Sequence, residues 1–151
     1  EELDEIALYL NFDMIASPNH AYFIYDADDS GHVGAGPYPP GSAAIEKLFE
    51  SYFNEQGLPF IGADLDGRSD YQPFLMKETA VGGLFTGFEW KKSKKQAEMF
   101  GGTPGEPHDP CYHTSCDNLD NINKEVLHVN ADAVAYAIFH YAMDDLDSLG
   151  E

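Results

Sequence analysis

The chain has 151 residues, of which 43% are apolar, and its 8 basic against 27 acidic side chains give a formal net charge of -19. This composition suffices for one domain of ordinary size with its own core and speaks against general disorder. The charge disfavours nucleic acid and anionic membrane surfaces as partners, and it suits an acidic or extracellular medium. No apolar run reaches the length of a membrane span, and the opening Glu1-Glu2-Leu3-Asp4-Glu5 is the opposite of a signal peptide, so the chain is expected to begin at a cut. Its two cysteines lie close together. They favour an oxidising compartment if they pair, and two thiols in a reduced cytosol are the alternative. No Asn-x-Ser/Thr sequon occurs.

In chain order, residues 1–6 read as a solvated tail or helix end. Leu8-Tyr9-Leu10-Asn11-Phe12-Asp13-Met14-Ile15 is a run of strand formers with one carboxylate, Asp13, near its end. A carboxylate at the end of a buried strand is costly to desolvate unless it is paired or metal-bound. Ser17-Pro18-Asn19-His20 makes a turn, and Ala21 to Tyr25 a second, aromatic-rich strand. Asp26-Ala27-Asp28-Asp29-Ser30-Gly31 opens like a calcium loop, with oxygen side chains at positions one, three and five and glycine at six. The twelfth position is Pro37 and no helical pattern precedes the loop. The segment therefore reads as an acidic, glycine-rich surface turn, with calcium as the alternative. Gly31 to Gly36 has the wrong glycine spacing for a dinucleotide loop and, followed by prolines, is a linker within the domain. Ser42 is placed to cap a helix running to about Glu55, whose Ile45, Leu48, Phe49, Tyr52 and Phe53 form one apolar face. Gly57 fits its carboxyl cap, and Pro59-Phe60-Ile61 enters another short strand.

Asp66-Gly67-Arg68-Ser69-Asp70 is a densely charged turn, either a local salt-bridge knot of Arg68 between two aspartates or part of a site. Gly82-Gly83-Leu84-Phe85-Thr86-Gly87 is a strand that must pass close to another backbone or a ligand, because two glycines otherwise weaken it. Lys91 to Lys95 reads as a solvated helix start, and Gly101 to Gly105 as a flexible loop. In Asp109 to Asp117, Cys111 and Cys116 bracket Tyr112 and His113. A bridge here would close only a small ring, with a modest entropic effect, but it would fix the direction of His113. A rigid neutral imidazole is a good zinc ligand, and a neighbouring phenol can donate to a developing oxyanion. A surface turn with two unpaired thiols is the alternative, and the local sequence alone favours it. Asn123 is placed to cap a long helix with Val126, Ala131, Val134, Ala135, Ile138 and Ala142 on its apolar face, His128 and His140 peripheral, and Asp144, Asp145 and Asp147 in a fraying acidic end.

Taken together and in this order, the Asp13 strand, the Asp-Gly-Arg-Ser-Asp-Tyr turn, the Gly-Gly-Leu-Phe-Thr-Gly strand and the Cys-Tyr-His-Thr-Ser-Cys loop resemble the carboxyl half of the co-catalytic zinc aminopeptidases. That family holds bacterial secreted aminopeptidases and the fungal aminopeptidase Y and leucine aminopeptidases. The similarity runs from about Leu8 to Tyr141, and the form of the turn is closer to the fungal members. The resemblance implies an α/β chain, part of a three-layer α/β/α zinc exopeptidase fold with a mixed central sheet. It implies a secreted or vacuolar peptidase acting on peptides with apolar first residues through two zinc ions. Asp13 would bind one zinc and His113 the other, and Tyr112 would donate to the oxyanion. Met14, Gly67, Arg68 and Phe85 would line the substrate pocket, with a disulfide joining Cys111 to Cys116.

The family's remaining ligands and its general base belong to a His-x-Asp segment and a Glu-Glu pair earlier in the chain. No His-x-Asp triplet precedes Asp13, and the adjacent Glu1-Glu2 lack an apolar strand before them. Two ligands cannot hold two zincs, so the chain is expected to be inactive by itself and to work with a companion amino-terminal half. Without that half, the Asp13 strand would present an unpaired edge. A serine hydrolase built on Ser69 lacks the Gly-x-Ser-x-Gly elbow. The stronger alternative is a non-catalytic binding module, calcium-dependent through Asp26 to Ser30.

Overall fold

The computed structural model describes residues 5–34, 36–143 and 146–149. Four strands, β1 (Leu8–Phe12), β2 (Phe23–Tyr25), β3 (Ile61–Ala63) and β4 (Ala80–Phe85), form one sheet in the order β1-β4-β2-β3. β1 runs parallel to β4 with Leu8 opposite Ala80 and Phe12 opposite Leu84, and β2 runs parallel to β3. β2 is antiparallel to β4, so the sheet is mixed, as the resemblance implies. Among the described residues nothing pairs with the outer edge of β1, whose Leu8, Tyr9 and Leu10 stay half-buried.

Both faces of the sheet are covered, and the strand residues divide between them with the period of two that a pleated strand imposes. Ile24, Ala80 and Leu84 point to one side and pack with Ile45, Leu48, Phe49 and Phe53 of α1 (Ser42–Glu55) and with Val126, Ala133 and Ala137 of α4 (Lys124–Met143). Phe23, Tyr25, Val81 and Phe85 point to the other, against Leu65, Tyr71 and Phe74, the last on the short helix α2 (Gln72–Leu75). The expected stripe of α1 is therefore core. The two glycines of β4 meet the close neighbours their presence required. A Cβ on Gly82 would lie 2.4 Å from Ile45 Cγ2, and one on Gly83 would run into the backbone of Asn11.

Several local expectations fail, most of them because a distant partner takes the polar group. Ser42 does not cap α1. Gly41, at φ +89°, occupies that position, and the buried Ser42 hydroxyl accepts from Val81 N at 3.0 Å. Lys92 is not a solvated helix start. It is only 2% exposed, with Nζ donating to His20 O at 2.5 Å, while Ser93 and Gln96 form a capping box for α3 (Lys94–Phe100). The loop at 101–105 is tied down rather than flexible, since Thr103 N donates to Asn19 Oδ1 and Gly105 N to Lys92 O. Asn123 does cap α4, its Oδ1 accepting from Val126 N. The face of α4 is shifted, however. Val126, Asn130, Ala133 and Ala137 are buried, and Ile138 is 57% exposed. Lys124, Glu125, His128 and Asp132 mark a polar side in the first half of α4, but its second half is apolar nearly all round, so the pattern there does not set the phase. Asp26 is buried, at 1% exposure, whereas the rest of its loop is at the surface. Residues 1–4 of the expected tail, Asp144 and Asp145 lie outside the described residues.

The Gly82 contact gives a direct check on this packing. Gly82→Ala is expected to destabilise the protein by about 1–3 kcal/mol through overpacking against a side chain fixed at its own Cβ. Combined with Ile45→Ala, which vacates that space, the cost in urea unfolding should fall well short of the sum of the single changes. A Gly82→Ala protein with an unchanged urea midpoint would show that the contact is absent.

Candidate functional site

The site is built where β1 ends. The chain leaves the sheet at Asp13 and turns through Met14, which has φ +53°. A non-glycine residue in that conformation needs its surroundings to hold it. The fully buried Thr86, directly after β4, does so: its N–H donates to Met14 O at 2.9 Å and its hydroxyl donates to the same carbonyl. Thr86 Oγ1 also accepts from Ser17 N at 2.9 Å, and Ser17 Oγ donates to Gly87 O at 2.5 Å. Asp13 is exposed, and its Oδ2 accepts from Ser69 Oγ at 2.8 Å. Ser69 is in turn held by Asn11 Nδ2 at 3.0 Å. The Ser69 hydroxyl thus serves the carboxylate rather than a histidine, which removes the serine-hydrolase reading.

The 66–70 turn folds around the hydroxyl of the buried Tyr71. Gly67, at φ +81°, donates its N–H to Tyr71 OH at 2.8 Å, and Tyr71 donates to Asp66 Oδ1 at 3.2 Å. Glycine is needed there for the left-handed backbone. The local salt-bridge knot is not formed. Arg68 reaches Glu89 at 2.8 Å and lies over the Phe88 ring at 4.4 Å, and the Glu89 hydrogen bond holds its guanidinium above its ordinary pKa.

The cysteines are bridged, with Cα atoms 5.3 Å apart. The bridged loop hangs from the buried Asp109, whose N–H donates to Phe88 O and whose Oδ1 accepts from Cys111 N and Asn121 Nδ2. Asn19 secures the segment before it, receiving Thr103 N and donating to Pro107 O. The buried His108 places Nδ1 2.8 Å from Asn19 O, so that nitrogen carries the proton. At the loop's tip the exposed His113, at φ +54°, stacks on Tyr112 with ring centroids 3.9 Å apart.

A cleft joins these segments, and Asp13, Met14, Arg68, Phe85 and Tyr112 all line it. Gly67 and His113 lie beside it in the chain but are not among its lining residues. Asp66 and Ser69, from the turn that the resemblance sets at the pocket rim, also line it, as do Tyr25, Asp64, Tyr71, Phe88 and Trp90, which were not singled out from the sequence as pocket residues. The aromatic spacing around Phe85 was the available signal for Phe88 and Trp90. Burial pushes the Tyr25 and Tyr71 phenols well above their ordinary values, reinforced by Tyr71 and Asp13 at Tyr25 and by Asp66 at Tyr71, so both remain protonated donors. Asp13 and His113 offer oxygen and nitrogen, the donor types zinc takes. Among the described residues, the one group of three or more close metal-capable side chains is Asp26, Asp28 and Glu46, and it contains neither. The pair fits zinc in kind but does not complete a site.

The chain is similar to known proteins in sequence and in fold. The family model of peptidase family M28 matches residues 1–138. An aminopeptidase of Pseudomonas aeruginosa is 51% identical over 136 residues, covering 90% of this chain and 25% of the relative. A probable leucine aminopeptidase 2 of Aspergillus oryzae is 49% identical over 148 residues, covering 98% and 29%. The chain thus spans between a quarter and a third of the length of these relatives. In structure it resembles a zinc aminopeptidase from Bacillus subtilis, with TM-score 0.63 at 18% identity over 99% of this chain and 32% of the other, a likeness of fold.

Two outcomes are expected from this geometry. Thr86→Val removes the hydroxyl from a dry node and strands Ser17 N, at a cost of about 1–3 kcal/mol in denaturant unfolding; a neutral substitution would mean that Met14 is held by other contacts. Burial first, then the charges of Lys92 and His108, lowers His20 to about pKa 4, and burial lowers His108 as well. Both rings are neutral when folded, so the unfolded chain binds more protons below its pKa near 6.5. Their contribution is present above that value and is lost as pH falls toward 4. Urea midpoints measured across that window should slope less in His20→Phe than in the parent, and equal slopes would refute the assignment.

Proposed function

The chain belongs to peptidase family M28, and on that premise we propose that it is the carboxyl-terminal part of a secreted or vacuolar zinc aminopeptidase that removes apolar amino-terminal residues from peptides. The observation that carries this reading is the cleft itself, which gathers Asp13, Met14, Arg68, Phe85 and Tyr112 from four separate segments. The bridged loop supports an oxidising compartment.

In this reading each side chain has a task set by its surroundings. Ser69 occupies one oxygen of Asp13 and leaves the other free for a metal ion. His113, fixed by the bridge and by its stack on Tyr112, offers a ligand to a second ion. When bound, zinc supplies Lewis-acid polarisation of the scissile carbonyl. The Tyr112 phenol donates a hydrogen bond to the oxygen on which charge develops. Met14, Phe85 and Phe88 wall an apolar space for the first side chain, with Phe85 backed by the stacked ring of Phe23 at 4.6 Å. Apart from the metal ligands, the carboxylates Asp64 and Asp66 line the cleft and favour a free, protonated amino terminus over a blocked one. The remaining metal ligands and the general base come from an amino-terminal part of the same protein. The edge of β1, which pairs with nothing among the described residues, and the share of the relatives' length that this chain spans both support such a part.

The test is hydrolysis of leucine p-nitroanilide by the whole protein, with the amino-terminal part that supplies the remaining ligands present, and its zinc content measured in parallel. Tyr112→Phe should lower kcat on the order of 10²- to 10³-fold while leaving KM and bound zinc near the parent values. Asp13→Asn should lose zinc along with activity. A Tyr112→Phe enzyme with undiminished kcat removes the oxyanion role, and a parent protein without zinc or activity removes the peptidase reading.

A further inference from the structure

The 26–31 loop carries oxygen side chains at its first, third and fifth positions and lacks an acidic residue at its twelfth. The fold brings one from elsewhere. Glu46, in the second turn of α1, is 3% exposed, and its Oε2 accepts from Ala27 N at 2.7 Å and Asp28 N at 2.9 Å. Asp26 leaves β2 directly into the same pocket, with Oδ2 accepting from Gly31 N at 3.0 Å. One carboxylate oxygen each from Asp26, Asp28 and Glu46 lies within 4.8 Å of the other two. Three carboxylates this close, two of them on buried residues, repel one another when ionised in a setting that water screens poorly, and burial, with the charges of Asp28 and Asp26, pushes Glu46 up to about 7.

A second observation points to what relieves them. Asp26 is 1% exposed, and its Oδ1 has no hydrogen-bond donor among the described residues, although buried carboxylate oxygens are costly to leave unpaired. Lys47 does not answer it, for its largely exposed ammonium reaches only the outer oxygen of Asp28, at 3.9 Å. We infer that Asp26, Asp28 and Glu46 bind a calcium ion that ties the 26–31 loop to α1. The donors are all oxygens and mostly anionic, which excludes a soft-metal preference. They also come from a loop and a helix rather than from one rigid frame, which suits the larger and more adaptable calcium over magnesium. Tyr25, one residue before Asp26, lines the cleft, so the ion would also steady one wall of that space. The inference is independent of the peptidase reading, since none of these three carboxylates lines the cleft.

The test uses the purified protein after treatment with a calcium-selective chelator, titrated calorimetrically with calcium chloride and melted with and without it. One saturable site per chain and a raised Tm are expected. Affinity should fall by roughly tenfold or more in Asp26→Asn and in Glu46→Gln, as expected when a charged ligand is removed. Asp28→Asn, at an exposed position that leaves the core intact, should weaken binding in the same direction. Absence of calcium binding in the parent, binding that survives all three substitutions, or a response to magnesium alone would each overturn the proposal. So would a parent that binds nothing and is stabilised by Asp26→Asn, which would mark the cluster as carboxyls sharing protons.

Discussion

The constraint on which the rest of the structure depends is the junction between Thr86 and Met14. β1 and β4 already share a parallel ladder, but a ladder positions only the strands and not the chain that leaves them. Thr86 extends the pairing one step past the sheet through a side chain as well as an amide, and it holds Met14 in a backbone conformation that a free chain would abandon. Asp13 stands between the last paired residue and this anchor. Its direction is therefore set by the sheet even though its side chain is exposed. The residue before Thr86 is Phe85, so the end of one strand supplies both the apolar wall and the latch for the carboxylate.

The second half of the cleft is irregular chain made rigid by side chains. Asn19 and Asp109 do the work that a ladder does elsewhere, accepting and donating across more than eighty residues in the one case and closing a short loop onto its base in the other. Buried backbone groups in loops need such partners. Lys92 belongs to the same economy, because its ammonium satisfies the carbonyl of His20; burial lowers its own pKa, and the neighbouring imidazole is lowered first by its own burial and then by the Lys92 charge. The disulfide then has little left to order beyond Tyr112 and His113 themselves.

The location of the cleft follows from the topology. β1 and β4 are parallel neighbours, and both end at the cleft. Open α/β sheets characteristically bind ligands outside the carboxyl ends of their parallel strands, where loops from separate crossovers converge. Here the 13–20, 66–70, 87–90 and 109–117 segments converge in that way, which is why motifs scattered along the chain share one surface. The acidic cluster at Asp26 lies on a different loop, after a strand that runs antiparallel to β4, and so belongs to the scaffold rather than to the cleft.

The sequence by itself determined what repeats locally. The stripe from Ile45 to Phe53 specifies a helix with a core face, the alternation in the strands specifies a sheet buried on both sides, and the order of four motifs identifies the family to which the cleft belongs. Tertiary structure alone decided the fate of individual polar side chains. Ser42 reads as a cap until Val81 N, on a strand 39 residues away, claims its hydroxyl. Lys92 reads as solvated until His20 O is brought to it, and Asp26 reads as a surface turn until α1 sets Glu46 beside it. Apolar periodicity is a property of neighbours in sequence and survives inspection of a short window. Whether a polar group is buried depends on a partner supplied by a distant segment, and only the folded chain brings that partner within reach.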